Sequence, residues 1–424
     1  MFDYILKNCL AVNAQTGRFV GNGAKSAAIH VKDGKFATES SPGTTKSLDL
    51  GGKSFVYPAL INTHDHLRGN YLPRIGPKPG EFYLTWLPWD DDLKASAAYA
   101  ERANLTAEDM YTLSSYKSLF SGVTTVVDHF PHSINQDFLP HLPIRALQNY
   151  ALAHEASSYD LKWGDGIAIE HRRAAANNWP FITHLAEGFD EESMRGLANL
   201  ENLGALDRYG LFVHCIGFSD EDIRKTARAG ASISWCPASN MLMFNVTCKI
   251  RKFLREGVNV TLGTDSTHSG SANLLAEIHY GRELYRKLYG EDLPAKTIFE
   301  MVTINAAKAL HLEDSLGSLD EGKLADMLVL RGQSDDPYEN LAAAGMGDIE
   351  FLSLAGKPLY GELRFLDLFG GNQPGGKLPL GYSQITAAGR PMFVLGDPGK
   401  FYAQAREKIG FKKILDFLPF EPGQ

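Results

Sequence analysis

"SFVYPALINTHDHLRGN", residues 54–70, sets an apolar run directly before two histidines one residue apart, His64 and His66. The run through residues 55–62 does not alternate, as expected of a strand buried on both faces in a parallel sheet. Side chains on a strand alternate between its faces, so His64 and His66 project to the same side and Asp65 points away. Two imidazoles at the end of a buried strand suit an α/β barrel, where strand ends carry the site.

Working outward, the chain keeps to that plan. Residues 1–54 read as short strands, with Asp33-Gly34 as a hairpin turn between "AAIHVK" and "KFAT". After residue 62, strand-like and helix-like segments alternate. "LTAEDMYTLSSYKSLFSG" is helical and "VTTVVDHF" is a β-branched strand. The strands "PFITH", "LFVHC", "SISWC" and "VNVTLGTD" follow, separated by helical stretches, one of them opened by Ser219 as an N-cap. This order predicts a parallel sheet closed as a barrel. From about residue 316 the pattern returns to strands. The expected fold is therefore a (β/α)8 TIM-like barrel over residues 55–315. A small β-sandwich domain comes from both chain ends, 1–54 and 316–365, and residues 366–424 form a C-terminal extension.

Composition narrows the function. The 424 residues carry a net charge of -8, which leaves no basic footprint for nucleic acid. No apolar stretch is long enough to span a membrane, and the N-terminus has no signal-peptide pattern. Four scattered cysteines without a CxxC pair argue against a zinc ribbon or a disulfide framework. A cytoplasmic protein with a small-molecule substrate is expected, without nucleic-acid or membrane partners. A homodimer is the assembly to test, because such dimers are the commonest soluble oligomers.

The ends of the strands carry the chemistry. His64 and His66 end the first, His184 ends "PFITH" with Glu187 three residues on, His214 ends "LFVHC", and Asp265 ends "VTLGTD". Imidazole and carboxylate suit zinc or ferrous iron. His64, His66, His184 and Asp265 can hold one divalent ion, Zn or Fe(II), with a position left open for water. Such an ion lowers the pKa of its water to about 7. Glu187 is placed to pass the proton to a leaving group. His214 is placed to polarise the substrate or orient the hydroxide, and Asp265 can also accept a proton. His30, His141, His154, His171, His279 and His311 are read as ordinary structural or surface histidines.

"PALINTHDH", "THLAEG", "FVHC", "SWCPASN" and "LGTDS" together resemble the amidohydrolase superfamily, in its cytosine deaminase, atrazine chlorohydrolase and S-adenosylhomocysteine deaminase branch. "TINAAKALHLEDSLGSLDEGKLADMLVL" is similar to that family's C-terminal signature. The resemblance runs from about residue 1 to 361. It implies a distorted barrel with one catalytic metal on His64, His66, His184 and Asp265, Glu187 as proton shuttle and His214 as a catalytic histidine. It also implies the reaction: metal-dependent hydrolysis at an unsaturated C–N carbon of a heterocyclic or amidine-like substrate, releasing ammonia.

Two features depart from the family. The span between Asp128 and His184 is short. "IRALQNYALAHE" supplies the third strand there, and the fourth must be very short, or lost, in "ASSYDLKW". The residues after Gly361 have no counterpart. Lys162 sits near the expected end of the fourth strand, so a binuclear amidohydrolase with a carbamylated Lys162, such as a dipeptidase or lactam hydrolase, is the alternative. His-x-x-Glu at 184–187 favours the one-metal type. An inactive barrel would lack a ligand, and none is missing.

The substrate pocket is sketched by aromatics after the first strand: Tyr71, Phe82, Tyr83, Trp86 and Trp89. Trp86 or Trp89 could stack on a flat ring, or pack a long loop. His129, and less so His132, face the same rim. Arg68 could meet an anion, an ion pair with protein being the simpler expectation. Ser239, Asn240 and Met241 follow the seventh strand.

Overall fold

The apolar run at residues 55–62 is broken in two, and the break organises the fold. The computed structural model describes residues 3–13, 27–39, 45–369 and 378–420. Strands β1 (Tyr4–Ala11), β2 (Ala27–Lys32), β3 (Lys35–Ala37), β4 (Lys46–Asp49) and β5 (Ser54–Pro58) belong to one mixed ten-stranded sheet, whereas β6 (Leu60–Asp65) starts another. The switch falls at Ala59. Its N–H donates to the Asp326 carbonyl at 3.0 Å, while the next N–H, of Leu60, donates to the Gly122 carbonyl at 3.0 Å. The expected boundary at residue 55 is therefore too early, because Ser54–Pro58 pairs with the chain-end strands. Both halves are buried on both faces, so hydrophobicity carries no mark of the change of partner.

Seven further parallel strands follow β6. They are β7 (Val123–Asp128), β8 (Arg145–Ala146), β9 (Ala151–Glu155), β10 (Phe181–Leu185), β11 (Gly210–His214), β12 (Ser232–Trp235) and β13 (Asn259–Leu262). β6-β7-β8 form one sheet and β9 to β13, in sequence order, a second. Between β13 and β6, the Asp265 N–H donates to the His64 carbonyl at 3.0 Å. The Thr63 hydroxyl donates to the Leu262 carbonyl at 3.1 Å across the same gap.

"IRALQNYALAHE" yields both the third and the fourth strand, β8 and β9, joined by a short turn with no helix between them. "ASSYDLKW" holds no strand. The correction has a physical cause. A two-residue strand is too short to show periodicity, so the pair reads as one element.

The connection from β6 to β7 carries α1 (Trp86–Ala95), α2 (Ala97–Arg102) and α3 (Ala107–Leu119). α3 opens with a reciprocal capping box between Thr106 and Asp109, and the helix after β11 opens with another between Ser219 and Asp222. The hairpin turn forms at Asp33-Gly34, both at positive φ, with Lys32 opposite Lys35.

β14 (Met327–Arg331), β15 (Ile349–Leu354), β16 (Lys357–Glu362), β17 (Tyr382–Ala387) and β18 (Arg390–Leu395) complete the ten-stranded sheet. Its order is β17-β18-β16-β15-β14-β5-β1-β2-β3, with β4 on β1. The segment expected as a C-terminal extension thus adds two strands to the sheet. Its helix Pro398–Ile409 then packs on α3: Tyr402 shares an apolar cluster with Leu113, and Lys408 pairs with Asp109. Among the described residues no helix is long and apolar enough to cross a membrane.

α3 also reaches inward. Lys117 is almost fully buried and donates to Asp65 Oδ2 at 2.8 Å, Asn70 Oδ1 at 2.9 Å and Thr264 Oγ1 at 3.3 Å. Asp65 also accepts from the Asn70 amide at 2.9 Å. Removing one partner of such a buried pair strands the other's charge, at about 3–5 kcal/mol. Lys117→Met should therefore lose stability of that order in urea unfolding, and Asp65→Asn in the same chain should restore part of it. A loss under about 1 kcal/mol for the single variant would remove the pair from this role.

Candidate metal centre

Four strand ends converge above the parallel strands. His64 comes from β6 and His66 follows it, His184 comes from β10 and His214 from β11, and Asp265 follows β13. His64 Nε2 lies 3.7 Å and His66 Nε2 3.8 Å from Asp265 Oδ1. His64, His66 and Asp265 each present a donor atom within 4.8 Å of the others, and so do His64, His184 and His214. The two groups share His64. His64, His184, His214 and Asp265 are buried.

Local backbone aims these side chains. Ala186, His214 and Asp265 all take positive φ, at 51°, 70° and 56°. Such conformations cost non-glycine residues energy and cluster where a site needs a particular direction. Gly263 serves the same end by its smallness. A Cβ there would lie 2.7 Å from the Cβ of His64, so only glycine lets β13 approach the His64 backbone.

The electrostatics suit a cation. Burial first, then neighbouring imidazoles, hold His64 and His184 well below the ordinary histidine pKa, so both are neutral and keep a lone pair. Burial opposes ionisation of Asp265, but His66, His214 and the Ser239 hydroxyl outweigh it and hold the carboxyl below its usual range. Asp265 Oδ2 accepts from Ser239 at 2.7 Å and from Ser269 at 2.9 Å, which fixes the carboxylate. The His184 Nδ1–H donates to the His154 carbonyl at 2.9 Å, so the lone pair falls on Nε2. Both ring nitrogens of His64 are buried without a hydrogen-bond partner. Orphaned imidazole nitrogens beside a fixed carboxylate are what a divalent ion would satisfy, and the nitrogen-and-oxygen donor set fits zinc.

Glu187 and His214 form a second pair. His214 Nε2 lies 3.4 Å from Glu187 Oε1. The Asn240 amide donates to Thr247 at 3.1 Å, so its oxygen faces His214 and accepts from Nδ1–H at 2.8 Å. Neutral His214 then keeps its Nε2 lone pair toward Glu187. Burial, with the charges of Asp265 and Glu155 behind it, pushes the Glu187 carboxyl well above the ordinary range.

A cavity of about 580 Å³ opens over these groups, a size suited to a small molecule. Trp86 and Trp89 both line it. Trp86 is fixed by an indole N–H donated to Glu155 at 2.9 Å, Trp89 by one donated to the Ile75 carbonyl at 2.9 Å.

Several expectations change. His129 does not reach the cavity: it is fully buried, donates from Nε2 to the Ala153 carbonyl at 2.9 Å and packs 4.6 Å from the His184 ring. His132 bonds the Tyr150 carbonyl. Lys162 is not at a strand end. Its side chain is 80% exposed and lies 3.3 Å from Asp160, so it cannot bridge two metals. His154, read as structural, ends β9 and lines the cavity between Trp86 and Trp163, its ring 4.7 and 4.6 Å from theirs. Trp163 and His268, also on the wall, were missed. The signal for His154 was present in "ALAHE", a histidine at the end of an apolar run, and it was hidden by merging two strands into one. Ser239 and Asn240 do belong to the site, through Asp265 and His214 and not through the cavity wall.

Comparison with known proteins finds similar sequences and folds. Residues 170–359 match the amidohydrolase family. A 5'-deoxyadenosine deaminase of Methanosarcina mazei is 27% identical over 433 residues, 87% of this chain and 95% of that protein. A 5-methylthioadenosine/S-adenosylhomocysteine deaminase of Syntrophobacter fumaroxidans is 26% identical, over 76% of this chain and 84% of that protein. The crystal structure of an adenosine deaminase from Xanthomonas campestris with bound zinc superposes with a TM-score of 0.69 at 18% identity, over 96% of this chain and 98% of that one.

Metal analysis of the purified protein should find about one zinc per chain, the mononuclear stoichiometry. His64→Ala and His66→Ala should lose most of it, and Lys162→Ala should keep it. Two tightly held ions, one of them lost with Lys162→Ala, would overturn the one-metal assignment.

Proposed function

We propose that the chain is a member of the amidohydrolase family, whose model matches residues 170–359, and that it is a mononuclear metal-dependent deaminase that hydrolyses the C–N bond of an aminated heterocycle and releases ammonia. The observation that carries this reading is the Glu187–His214 pair, 3.4 Å apart and beside the His64–His66–Asp265 cluster. In this proposal one zinc ion is held by His64, His66, His184 and Asp265. When bound, it supplies the Lewis acidity that makes water a nucleophile at neutral pH.

The chain's own residues do the rest. Glu187 takes a proton from the attacking water and passes it to the ring nitrogen, and the second proton of that water then goes to the departing amino nitrogen, so that ring N=C–NH2 and water become ring HN–C=O and ammonia. A carboxyl held above its ordinary pKa by burial suits both halves of that transfer. His214, fixed by Asn240, orients the water and the ring nitrogen beside the carbon under attack. Trp86, braced by Glu155, offers a flat wall for the ring. The 6-aminopurine nucleosides in the names of the relatives are the first substrates to test.

The same reading joins β6–β8 and β9–β13 into one distorted (β/α)8 barrel and treats the ten-stranded sheet as a β-sandwich domain. The backbone bond from Asp265 to His64 supports the closure on one side. It also places the enzyme in the cytoplasm, in keeping with cysteines that are all free and buried.

Ammonia release tests the proposal. Glu187→Gln should keep its zinc and lower kcat by about 10²–10⁴, the usual contribution of a general acid–base group. Undiminished turnover in that variant would remove Glu187 from the proton path. Hydrolysis of amides or peptides in place of amino-substituted rings would replace the deaminase reading.

A further inference from the structure

The far wall of the cavity carries charge that the deamination does not use. Arg68 lies in the 3₁₀ turn Leu67–Gly69, two residues beyond His66, and Arg102 is the last residue of α2. Both line the cavity, as do Lys94 and Asp90. Lys94 is neutralised by Asp90. Among the described residues no carboxylate lies within ion-pair distance of Arg68 or Arg102. Arg102 is half-buried and stacks its guanidinium 4.6 Å over the Tyr99 ring, a contact that orients it without neutralising it. Burial, and after it the like charge of Arg68, lowers its pKa. His268 lines the same wall, fully buried, with Nε2 unpartnered.

Arg68 is exposed and Arg102 half-buried, both border one cavity, and a chain of net charge -8 has no shortage of carboxylates to pair with them. The turn holding Arg68 is itself fixed: Leu67 N–H donates to Asp128 at 2.8 Å and Gly69 N–H to the His66 carbonyl at 2.6 Å. The backbone that carries Arg68 is thus fixed, and both arginines border the same cavity as the candidate metal centre. Guanidinium forks match carboxylate and phosphate oxygens.

We propose that Arg68 and Arg102 form an anion subsite of this cavity, and that the substrate is an aminated heterocycle bearing a carboxylate or phosphate group. The proposal rests on the deaminase reading for its reaction and on the arginine pair for its specificity. The reacting ring lies against Glu187 and His214, and the acidic group lies at the α2 end.

Two measurements test it separately. In the first, ammonia release is compared for adenosine, adenosine 5'-carboxylic acid and adenosine 5'-monophosphate. An acidic member should exceed adenosine at least tenfold in kcat/KM, and the preferred acid shows whether carboxylate or phosphate is read. Arg68→Gln and Arg102→Gln should each remove most of that preference, chiefly through KM. Equal or better turnover of adenosine, unaffected by the variants, would overturn the subsite and leave the deaminase standing. In the second, calorimetric titration of the zinc-loaded protein compares nicotinate with nicotinamide, flat rings that differ in charge. Nicotinate should bind at least tenfold more tightly, and the difference should vanish in the double variant. This arm needs no turnover, so it decides the subsite even if none of the adenosine compounds is deaminated. Nicotinate binding that persists in the double variant, as a carboxylate on the metal alone would give, overturns the proposal.

Discussion

The buried ion pair between Asp65 and Lys117 is the constraint on which the site depends. Asp65 sits between His64 and His66, so whatever fixes its side chain fixes the turn of backbone that presents both imidazoles. Lys117 comes from α3, and its third bond, to Thr264, reaches the residue before Asp265. One ammonium group therefore ties together the β6 end, the β13 end and the helix that covers them. An isolated charge could not be buried so deeply, and the pair holds only because Asn70 and Thr264 complete its hydrogen bonds. The alternation that turns Asp65 away from the metal centre is what allows it to serve as the anchor from behind.

Around that anchor, positions are set by backbone more than by side-chain choice. Ala186, His214 and Asp265 pay a conformational cost to turn the chain at three strand ends, and hydrogen bonds within a buried surround hold them there. The segment before α1 contributes as well. Thr85 bridges Gly188, and the Phe189 N–H donates to the Leu84 carbonyl, which ties the start of α1 to the loop carrying Glu187. The tryptophan wall and the Glu187 carboxyl are thus held on one small frame.

The metal-capable residues were legible in the sequence because each stands at the end of an apolar run, where alternation and chemistry can be read together. The hairpin and the Ser219 cap were legible because Asp-Gly and an N-cap serine act locally. What could not be read depends on partners distant in the chain. The change of sheet at Ala59 leaves no local trace, since both sides of it are buried. β8 is too short to carry a period, and missing it misplaced the fourth strand, hid His154 and gave Lys162 a false importance. Lys117 lies within "SSYKSLF", where a lysine among apolar residues hints at burial but does not name Asp65 as its partner. β17 and β18 follow a stretch rich in Gly and Pro, and only the free edge of β16 explains where they go.

The helix Pro398–Ile409 covers the outer face of α3, the helix whose inner face holds Lys117. In order of synthesis, every strand of the two parallel sheets has left the ribosome before that cover exists. The newborn chain therefore holds all of its candidate ligands while the helix that steadies them is still bare on one side. Support for α3 from this side is tied to the arrival of Pro398–Ile409, and a chain clipped before Tyr402 would carry the full set of histidines without that packing.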